Sequence, residues 1–539
     1  MKLATFRFNL SVCFAVTLFL AAHSVSAQGI FDDPVDSGDA SGGLEGSESG
    51  GSGLGSDVLD PQAEFERANT AAEALMSEQK WSEALAEFNK VLALDRTFAP
   101  AHFGRAQCFQ QLGAPDDAIE AYSRAIVSPS ASRYEGLVTQ SHLERGKLYL
   151  DTARFREAAD DFAQAVAQDP TNPENLFQQG KALLRLVMTS PSQGTDQAGQ
   201  RSLILAIGSL DRAIELDANN GEAYLERGRV LSRIRETEFA IEDLEKAVAM
   251  TGPASAAAAD LGLAYSQRAN VESSKIDGDS QKIVDDLRAA VKSMNGFVKA
   301  AKLGEKQKSW EPGDPTEVRA ESMLISRAET MIALANELVG EETKGLYEQA
   351  IRDTTTIIDQ SSDPLELARA HFARAHAYRM LDDLDQAIAE YTTALKFFPT
   401  YTEAYLRRGI CFFHRQEYDK ALQDFSAAST DPRNPYQFEP RASLWEGLTH
   451  SQRGDQLDAI RAYSRAIRVS DSFIPAYLNR GLAYMNMGRN DRAVSDFNNV
   501  LRRDQNNEQA KTYRTQALER VDNETRDAES TYGSNVGPL

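Results

Sequence analysis

A motif of small and aromatic residues recurs along this chain at an interval close to 34 residues. In the C-terminal third, one small residue marks each copy, at Ala375, Gly409, Gly447 and Gly481, and the successive intervals are 34, 38 and 34 residues. Within each copy, apolar residues fall at helical spacing on two short segments separated by a turn. A fixed period near 34 residues that carries two helices predicts a stacked array of antiparallel helix pairs.

Stacking is required because one helix pair cannot bury its own apolar stripe. In the copy that contains Gly409, the aromatic residue Phe412 and the later residues Ala421, Phe425 and Ala428 supply the apolar surface. We predict that Gly or Ala lies where the two helices cross closely, and that the aromatic side chains fill the gaps between repeats.

Interruptions of the motif divide the chain into segments. The repeats are regular in two blocks, and between them insertions and a Pro- and Gly-containing break at 310–315 disturb the pattern. The predicted segments are a signal peptide 1–27, a disordered acidic Gly/Ser linker 28–60, an N-terminal repeat block 61–253, degenerate helical repeats 254–365, a C-terminal repeat block 366–506, a capping helix 507–529 and a disordered tail 530–539.

The segment 1–27 has the pattern of a secretory signal. Lys2 and Arg7 precede an apolar run at 8–22, and the small residues Val-Ser-Ala at 25–27 form a cleavage site. We expect cleavage, and therefore a periplasmic or secreted protein with no membrane span after signal removal. The alternative is that the segment is retained as a single membrane anchor.

The net charge and the cysteine content further restrict the possible partners and crosslinks of this protein. The chain has 80 acidic and 58 basic residues, a formal net charge of −22, which would repel phosphates, so we expect no nucleic-acid partner. After signal cleavage two cysteines remain, Cys108 and Cys411. They lie in distant repeats at equivalent helix positions, so we predict two buried, unpaired thiols rather than a disulfide.

No motif predicts catalysis. The chain lacks the GxxxxGK[ST], HExxH and GxSxG patterns, and the SxxK match formed by Ser77 and Lys80 lies in a turn without its partner motifs. His371, His376 and His414 could be considered as metal ligands, but the first two are five residues apart, off one helical face, and nearby carboxylates are irregular. We therefore predict a protein that is not an enzyme and holds no cofactor and no metal.

The repeated segments resemble tetratricopeptide repeats. A small residue is followed three residues later by an aromatic residue or Leu, then by Ala, an aromatic residue and Ala, and the family's aromatic near the repeat start is present as Tyr224, Tyr405 and Tyr477. The resemblance covers 62–252 and 366–507. It implies an all-α fold, an α-solenoid of about ten or eleven stacked helix pairs forming a superhelix, and a scaffold for protein–protein interaction.

A charge pattern accompanies the repeats. In five copies an Arg precedes the small residue and an acidic residue follows sixteen positions later, as Arg145 and Asp161, Arg227 and Asp243, Arg374 and Glu390, Arg408 and Asp424, and Arg480 and Asp496. The arginines could form an anion-binding stripe. We favour the alternative, in which each pair bridges the two helices of one repeat.

The resemblance also implies where a partner would bind, because the first helix of each pair lines the concave groove in this family. The corresponding positions of the C-terminal block are Arg369, His376, Glu403, Arg407, His414, Arg441, Trp445, Gln452, Asn479 and Asn486. Trp and Arg are the residue types that anchor partners, although Trp445 could instead pack against its neighbours. The asparagines with which some members clamp a terminal carboxylate are missing, so that mode of binding is not expected here.

Two functions are consistent with these features. The first is an exported, non-enzymatic scaffold whose C-terminal groove binds a protein or peptide segment. The alternative is an assembly factor in envelope or polysaccharide export that docks partners or a glycan, for instance through Trp445. The sequence leaves the oligomeric state and the identity of the partner open.

Overall fold

The computed structural model describes residues 61–134, 136–190, 192, 194–275, 278–300, 315–430 and 440–533. The predicted signal peptide 1–27, the linker 28–60 and most of the break at 310–315 lie outside these residues, as does the end of the tail, 534–539.

The described residues form 23 α-helices and one short 3₁₀ turn, Ala131–Arg133, and contain no strand. The helices are α1 (Pro61–Ser77), α2 (Trp81–Leu94), α3 (Ala99–Gln111), α4 (Pro115–Val127), α5 (Leu137–Asp151), α6 (Phe155–Gln168), α7 (Pro173–Thr189), α8 (Gln197–Leu216), α9 (Gly221–Arg233), α10 (Thr237–Thr251), α11 (Ala256–Ser273), α12 (Ser280–Ala300), α13 (Pro315–Glu337), α14 (Glu341–Gln360), α15 (Pro364–Met380), α16 (Leu384–Phe397), α17 (Thr402–His414), α18 (Tyr418–Thr430), α19 (Pro440–Arg453), α20 (Gln456–Val469), α21 (Ile474–Asn486), α22 (Asn490–Arg503) and α23 (Glu508–Gly533).

Each odd-numbered helix up to α21 packs along the even-numbered helix that follows it. The described chain forms two compact units, 61–252 with five such pairs and 253–533 with six pairs and α23. In each unit a second helix also packs against the first helix of the next pair. The predicted all-α array of stacked helix pairs is confirmed.

Close helix crossings explain the small residue in each repeat. A Cβ atom on Gly409 would lie 2.7 Å from the ring of Phe425, and one on Gly481 would lie 2.6 Å from the ring of Phe497. Both rings are fully buried. Because a glycine leaves room for the ring of its own repeat, the two helices of a pair approach closely and the aromatic side chain fills the space between them.

The degenerate segment 254–365 forms helix pairs as well. Its helices α11, α12, α13 and α14 have 18, 21, 23 and 20 residues, whereas α17 and α21 have 13 each. Buried apolar residues such as Met294, Ile325 and Met331 form its core. The longer helices change the residue spacing of the motif without changing the pairing.

Helix α23 packs on the last helix pair. Ala510 and Ala517 are fully buried, and the Tyr513 ring lies 5.9 Å from the Phe497 ring, centroid to centroid. Polar residues of α23 such as Glu508, Thr512 and Glu519 are exposed, so this helix covers the apolar end of the array. No helix within the described ranges is long and apolar enough to cross a membrane.

Candidate protein-binding surface

First helices of successive pairs lie beside one another in the unit 253–533. Contacts run from α13 to α15, α17, α19 and α21 in turn. Side chains on these helices therefore share one surface. We call it the C-terminal binding surface and define it by the ten residues that the sequence predicts for the groove, Arg369, His376, Glu403, Arg407, His414, Arg441, Trp445, Gln452, Asn479 and Asn486.

All five predicted Arg–acid pairs form in the structure. Arg408 donates from Nε and Nη2 to the two carboxylate oxygens of Asp424, at 2.8 and 2.7 Å. The same two-bond contact joins Arg145 to Asp161, Arg227 to Asp243 and Arg480 to Asp496, and a single hydrogen bond of 2.7 Å joins Arg374 to Glu390. The prediction that these arginines bridge the two helices of one repeat is confirmed.

Each of these arginines also contacts the preceding repeat. Arg408 donates from Nη1 to Thr392 Oγ1 on α16, at 3.0 Å. The equivalent acceptors are Ser123 for Arg145, Asp211 for Arg227, Thr355 for Arg374 and Ser464 for Arg480, at 2.6–3.1 Å. One guanidinium thus joins three helices. The repeat motif did not predict this contact, although a Ser, Thr or Asp is present in the sequence of each preceding second helix.

The pKa of the acid in an Arg–acid pair differs between repeats. Burial raises the pKa of Asp424 above its usual range despite the hydrogen bonds from Arg408. At Asp161 burial acts in the same direction, but hydrogen bonds from Arg145 and from His142, 2.8 Å away, outweigh it and lower the pKa. In repeats that carry the histidine, the acid is therefore held more firmly in its charged form.

Two residues of the C-terminal binding surface are less exposed than expected. His376 and Arg407 are only 7% and 8% exposed. Arg407 donates from Nε to one carboxylate oxygen of Glu403 at 2.7 Å, and Arg441 on the next first helix donates to the other oxygen at 2.9 Å. The structure thus brings these two arginines together around one shared acid.

Arg369 has a partner that the sequence did not indicate. Its Nη2 donates to Glu329 Oε2 at 3.0 Å, and this hydrogen bond joins α15, which carries Arg369, to α13, which carries Glu329. Glu329 belongs to the degenerate segment, where residue equivalences could not be assigned from the motif. Like the contact between Glu403 and Arg441, this ion pair joins two successive first helices.

Trp445 combines packing with partial exposure. Its ring lies 5.3 Å from the Phe413 ring, 6.3 Å from the Phe425 ring and 6.1 Å from the imidazole of His414, centroid to centroid. The Trp445 side chain is half-buried and His414 is exposed. Together the two side chains present an aromatic edge beside the Arg–Glu cluster, which suits an apolar ligand group.

The three amides of the predicted set are dispersed. Asn479 donates to the backbone carbonyl of Pro475 at 2.8 Å and is half-buried. Gln452 and Asn486 are exposed, and within the described part of the chain no hydrogen bond links them to the arginines or Glu403. Polar interactions are therefore concentrated on α15, α17 and α19.

The first helices of the unit 61–252 carry charges that neutralise one another. Glu226 is buried and accepts hydrogen bonds from Arg185 at 2.9 Å and from Arg229 at 2.6 Å. Lys147 lies 3.3 Å from Glu144 and 3.5 Å from Glu174. In both units, therefore, two arginines share one acid where successive first helices meet.

The contacts and burial of His371, Cys108 and Cys411 indicate structural roles for these residues. His371 contacts Glu390 at 2.7 Å, and among the residues that the structure describes no group of three or more potential ligands could hold a metal ion. Cys108 and Cys411 are both free and buried, and burial raises the pKa of each thiol to about 11. The prediction of two buried, unpaired cysteines is confirmed.

Sequence comparison and the helix pairs together identify the type of repeat. The tetratricopeptide-repeat profiles match residues 69–133, 143–187, 345–435 and 474–507. The crossing glycines, the buried aromatic residues and the stacked pairs described above are the structural counterparts of those matches. The matched segments are tetratricopeptide repeats, and repeats of this family form scaffolds that mediate protein–protein interaction.

Individual proteins resemble this chain over different shares of its length. The chain is 23% identical to DnaJ homolog subfamily C member 3 of Gallus gallus over 76% of its own length and 73% of that protein. It is 27% identical to human tetratricopeptide repeat protein 13 over 30% of its own length and 19% of that protein. Among solved structures, yeast Tom70 aligns at 12% identity and a TM-score of 0.37, covering 86% of this chain and 97% of that one.

Proposed function

We propose that this protein is a non-enzymatic scaffold that binds a segment of a partner protein on its C-terminal binding surface. The observation that carries the proposal is the aromatic edge formed by Trp445 and His414 beside a cluster in which Arg407 and Arg441 share one acid, Glu403. Aromatic and Arg side chains in partly desolvated positions are the residues that most often anchor protein partners.

The surroundings of the chemically reactive side chains support a non-enzymatic role. His142, His371 and His376 are buried and engaged by Asp161, Glu390 and Arg379. The free thiols are kept protonated by burial. These groups stabilise helix contacts rather than face a substrate.

Photocrosslinking tests the location of binding. We expect a partner purified with the full-length protein to crosslink when p-benzoylphenylalanine replaces His414, because this exposed position lies within the proposed contact. The control places the same group at Arg461, which is 74% exposed on α20, a second helix. Crosslinking that is equally efficient from both positions, or that occurs only from position 461, would contradict the assignment.

We also propose that the protein is exported, a proposal supported by Lys2, Arg7 and the apolar run 8–22 ahead of the small residues at 25–27. The expected mature protein begins at Gln28. Intact-mass measurement of protein recovered from the periplasm or medium checks this. A mass that includes residues 1–27 would instead support the retained anchor.

A further inference from the structure

We infer that the outer face of helix α8 is an interface at which two copies of this chain associate, with their α8 helices antiparallel and crossing at Gly208. We call it the α8 face, and its main residues are Arg201, Ile204, Leu205, Gly208, Arg212 and Glu215. The α8 face lies in the unit 61–252. The inference therefore goes beyond the proposed function and does not depend on it.

The helical period places these residues on one side of α8. At 3.6 residues per turn, each of them lies within about 60° of Gly208 around the helix axis. The opposite side packs into the array, where Leu203, Ala206, Leu210 and Ala213 are buried. The α8 face is thus the side that the stacking of repeats leaves outside.

Two large aliphatic side chains on the α8 face are open to solvent. Ile204 is 70% exposed and Leu205 is 52% exposed. Helix α8 packs along α7 and against α9, and neither helix covers these two side chains. Contact with a second copy would remove from water an apolar area that the fold of one chain leaves exposed.

Other second helices carry polar residues at the same positions. Ile204, Leu205 and Gly208 lie two before, one before and two after the buried alanine of their helix, Ala206. The corresponding residues are Asp116, Asp117 and Glu120 on α4, Arg156, Glu157 and Asp160 on α6, Asp419, Lys420 and Gln423 on α18, and Asp491, Arg492 and Ser495 on α22. Helices α10 and α20 have one exposed apolar residue each, beside charged residues. The repeat fold does not require apolar residues here, so their presence together on α8 indicates a contact outside the repeat.

Gly208 provides a place where two helices can cross closely. A Cβ atom at this position would meet nothing within 4 Å, so the packing of one chain does not require glycine there. Gly345 on α14 is equally open, but its helical neighbours are charged, so an open glycine alone marks no interface. On α8 the glycine lies one turn from Ile204 and Leu205, and a second helix can approach the backbone beside them.

Charge complementarity favours a second copy as the occupant and sets the antiparallel direction. When two α8 helices cross antiparallel at Gly208, a residue before the glycine on one copy lies opposite the residue equally far after it on the other. Arg201 and Glu215 are each seven positions from Gly208, so the two copies form an Arg–Glu contact at each end of the crossing. A parallel arrangement would place like charges opposite each other at both ends.

The remaining residues fit the same arrangement. Ile204 lies opposite Arg212 of the second copy, whose aliphatic stem can cover the Ile204 side chain. Leu205 lies opposite Asp211, whose carboxylate accepts a hydrogen bond from Arg227 of its own chain at 2.8 Å and is therefore already paired. The face carries two arginines and two acids, so it is neutral on a chain whose net charge is −22. Two acidic chains can meet there without strong repulsion.

Sedimentation velocity of the full chain, from about 1 to about 200 µM, tests the inference. We expect a monomer–dimer equilibrium with a dissociation constant on the order of 10–100 µM, because one helix face buries less area than a typical stable interface. Arg201→Glu and Glu215→Arg each turn both Arg–Glu contacts into like-charge contacts, and each is expected to weaken association about tenfold. Arg156→Glu makes the same charge change at an exposed position of α6 and is expected to associate as the wild type does.

A mixture of the two charge variants tests the pairing directly. A heterodimer of the Arg201→Glu chain and the Glu215→Arg chain has opposite charges at both ends of the crossing, so the equimolar mixture is expected to dimerise about as tightly as the wild type. A wild-type chain that stays monomeric at the highest concentration would overturn the inference. Single variants that associate as tightly as the wild type, or a mixture that stays monomeric, would overturn it as well.

Disulfide trapping tests the crossing point. Gly208→Cys places two thiols at the symmetry axis of the proposed dimer, and we expect a covalent dimer on mild oxidation. Asp160→Cys on α6, an exposed residue at the equivalent position, is the control and is expected to stay monomeric. Cys108 and Cys411 are buried and do not compete. Equal crosslinking from positions 160 and 208, or none from position 208, would contradict a crossing at Gly208.

Discussion

Asp353→Leu is expected to lower the free energy of unfolding of the unit 253–533 by about 3–5 kcal/mol. Arg327 donates from Nε and Nη2 to the two oxygens of Asp353, both at 2.7 Å, and both residues are buried. Removing the acid leaves a guanidinium away from water whose remaining partner among the described residues is Asn295, at 2.9 Å from Nη1. The loss exceeds the value of the pair itself because the remaining charge is uncompensated. Urea denaturation followed by circular dichroism measures it.

A double variant and a surface pair provide the controls for this prediction. Arg327→Met combined with Asp353→Leu removes both charges and is expected to recover most of the lost stability. Asp458→Ala breaks an ion pair with Arg461 whose side chains are 48% and 74% exposed, so a change below about 1 kcal/mol is expected. An Asp353→Leu protein that unfolds at the same urea concentration as the wild type would show that the pair is not stabilising.

Gly447→Val is expected to destabilise the same unit by about 1–3 kcal/mol through overpacking. A Cβ atom on Gly447 would overlap the ring of Tyr463, and Tyr463 is only 1% exposed, so the ring cannot move aside into solvent. The helices α19 and α20 would have to separate to accept the new side chain. Thermal melting followed by circular dichroism measures the effect.

Gly345→Ala is the matched control, because this glycine lies inside helix α14 and a methyl group added there would have nothing within 4 Å of it. Alanine is the better helix former at such a position, so stability should rise by up to about 1 kcal/mol. If Gly447→Val and Gly345→Ala melted at the same temperature, the close crossing would not limit the residue at position 447.

The repeat core could be predicted because its period is regular. The motif assigned Ala421, Phe425 and Ala428 to the interior, and all three are fully buried. Gly409 was assigned to the close crossing and lies against Phe425. These positions depend only on contacts within one helix pair, so a fixed residue spacing is enough to find them.

The sixteen-residue spacing did not predict the ion pairs in the middle of the chain. Arg268 pairs with Asp286 and Arg327 with Asp353, at spacings of 18 and 26 residues instead of sixteen. The geometry of each contact is unchanged, but longer helices separate the two residues further along the chain. In the repeat that carries Glu446 in place of the Arg, the acid pairs with Arg465 instead.

The candidate site was predictable only in part. First-helix positions identified Trp445, Arg407 and Arg441, because the motif specifies which face of a helix they occupy. Their pairing was not predictable, since Glu403 and Glu329 bind arginines of neighbouring repeats and that depends on how one repeat is placed on the next.

The arginine that joins three helices has a consequence for cooperativity. A hydrogen bond such as that from Arg408 to Thr392 stabilises the interface between repeats, so in a one-dimensional description it adds to nearest-neighbour coupling rather than to the intrinsic stability of a repeat. Strong coupling makes adjacent repeats unfold together. The junctions at α3, α7 and α19 lack it, since Arg105 forms no ion pair within the described chain, Gln179 stands in place of the Arg before Gly180, and Glu446 has the opposite charge. Partial unfolding and proteolysis are therefore expected to begin where α3, α7 and α19 join the preceding pairs.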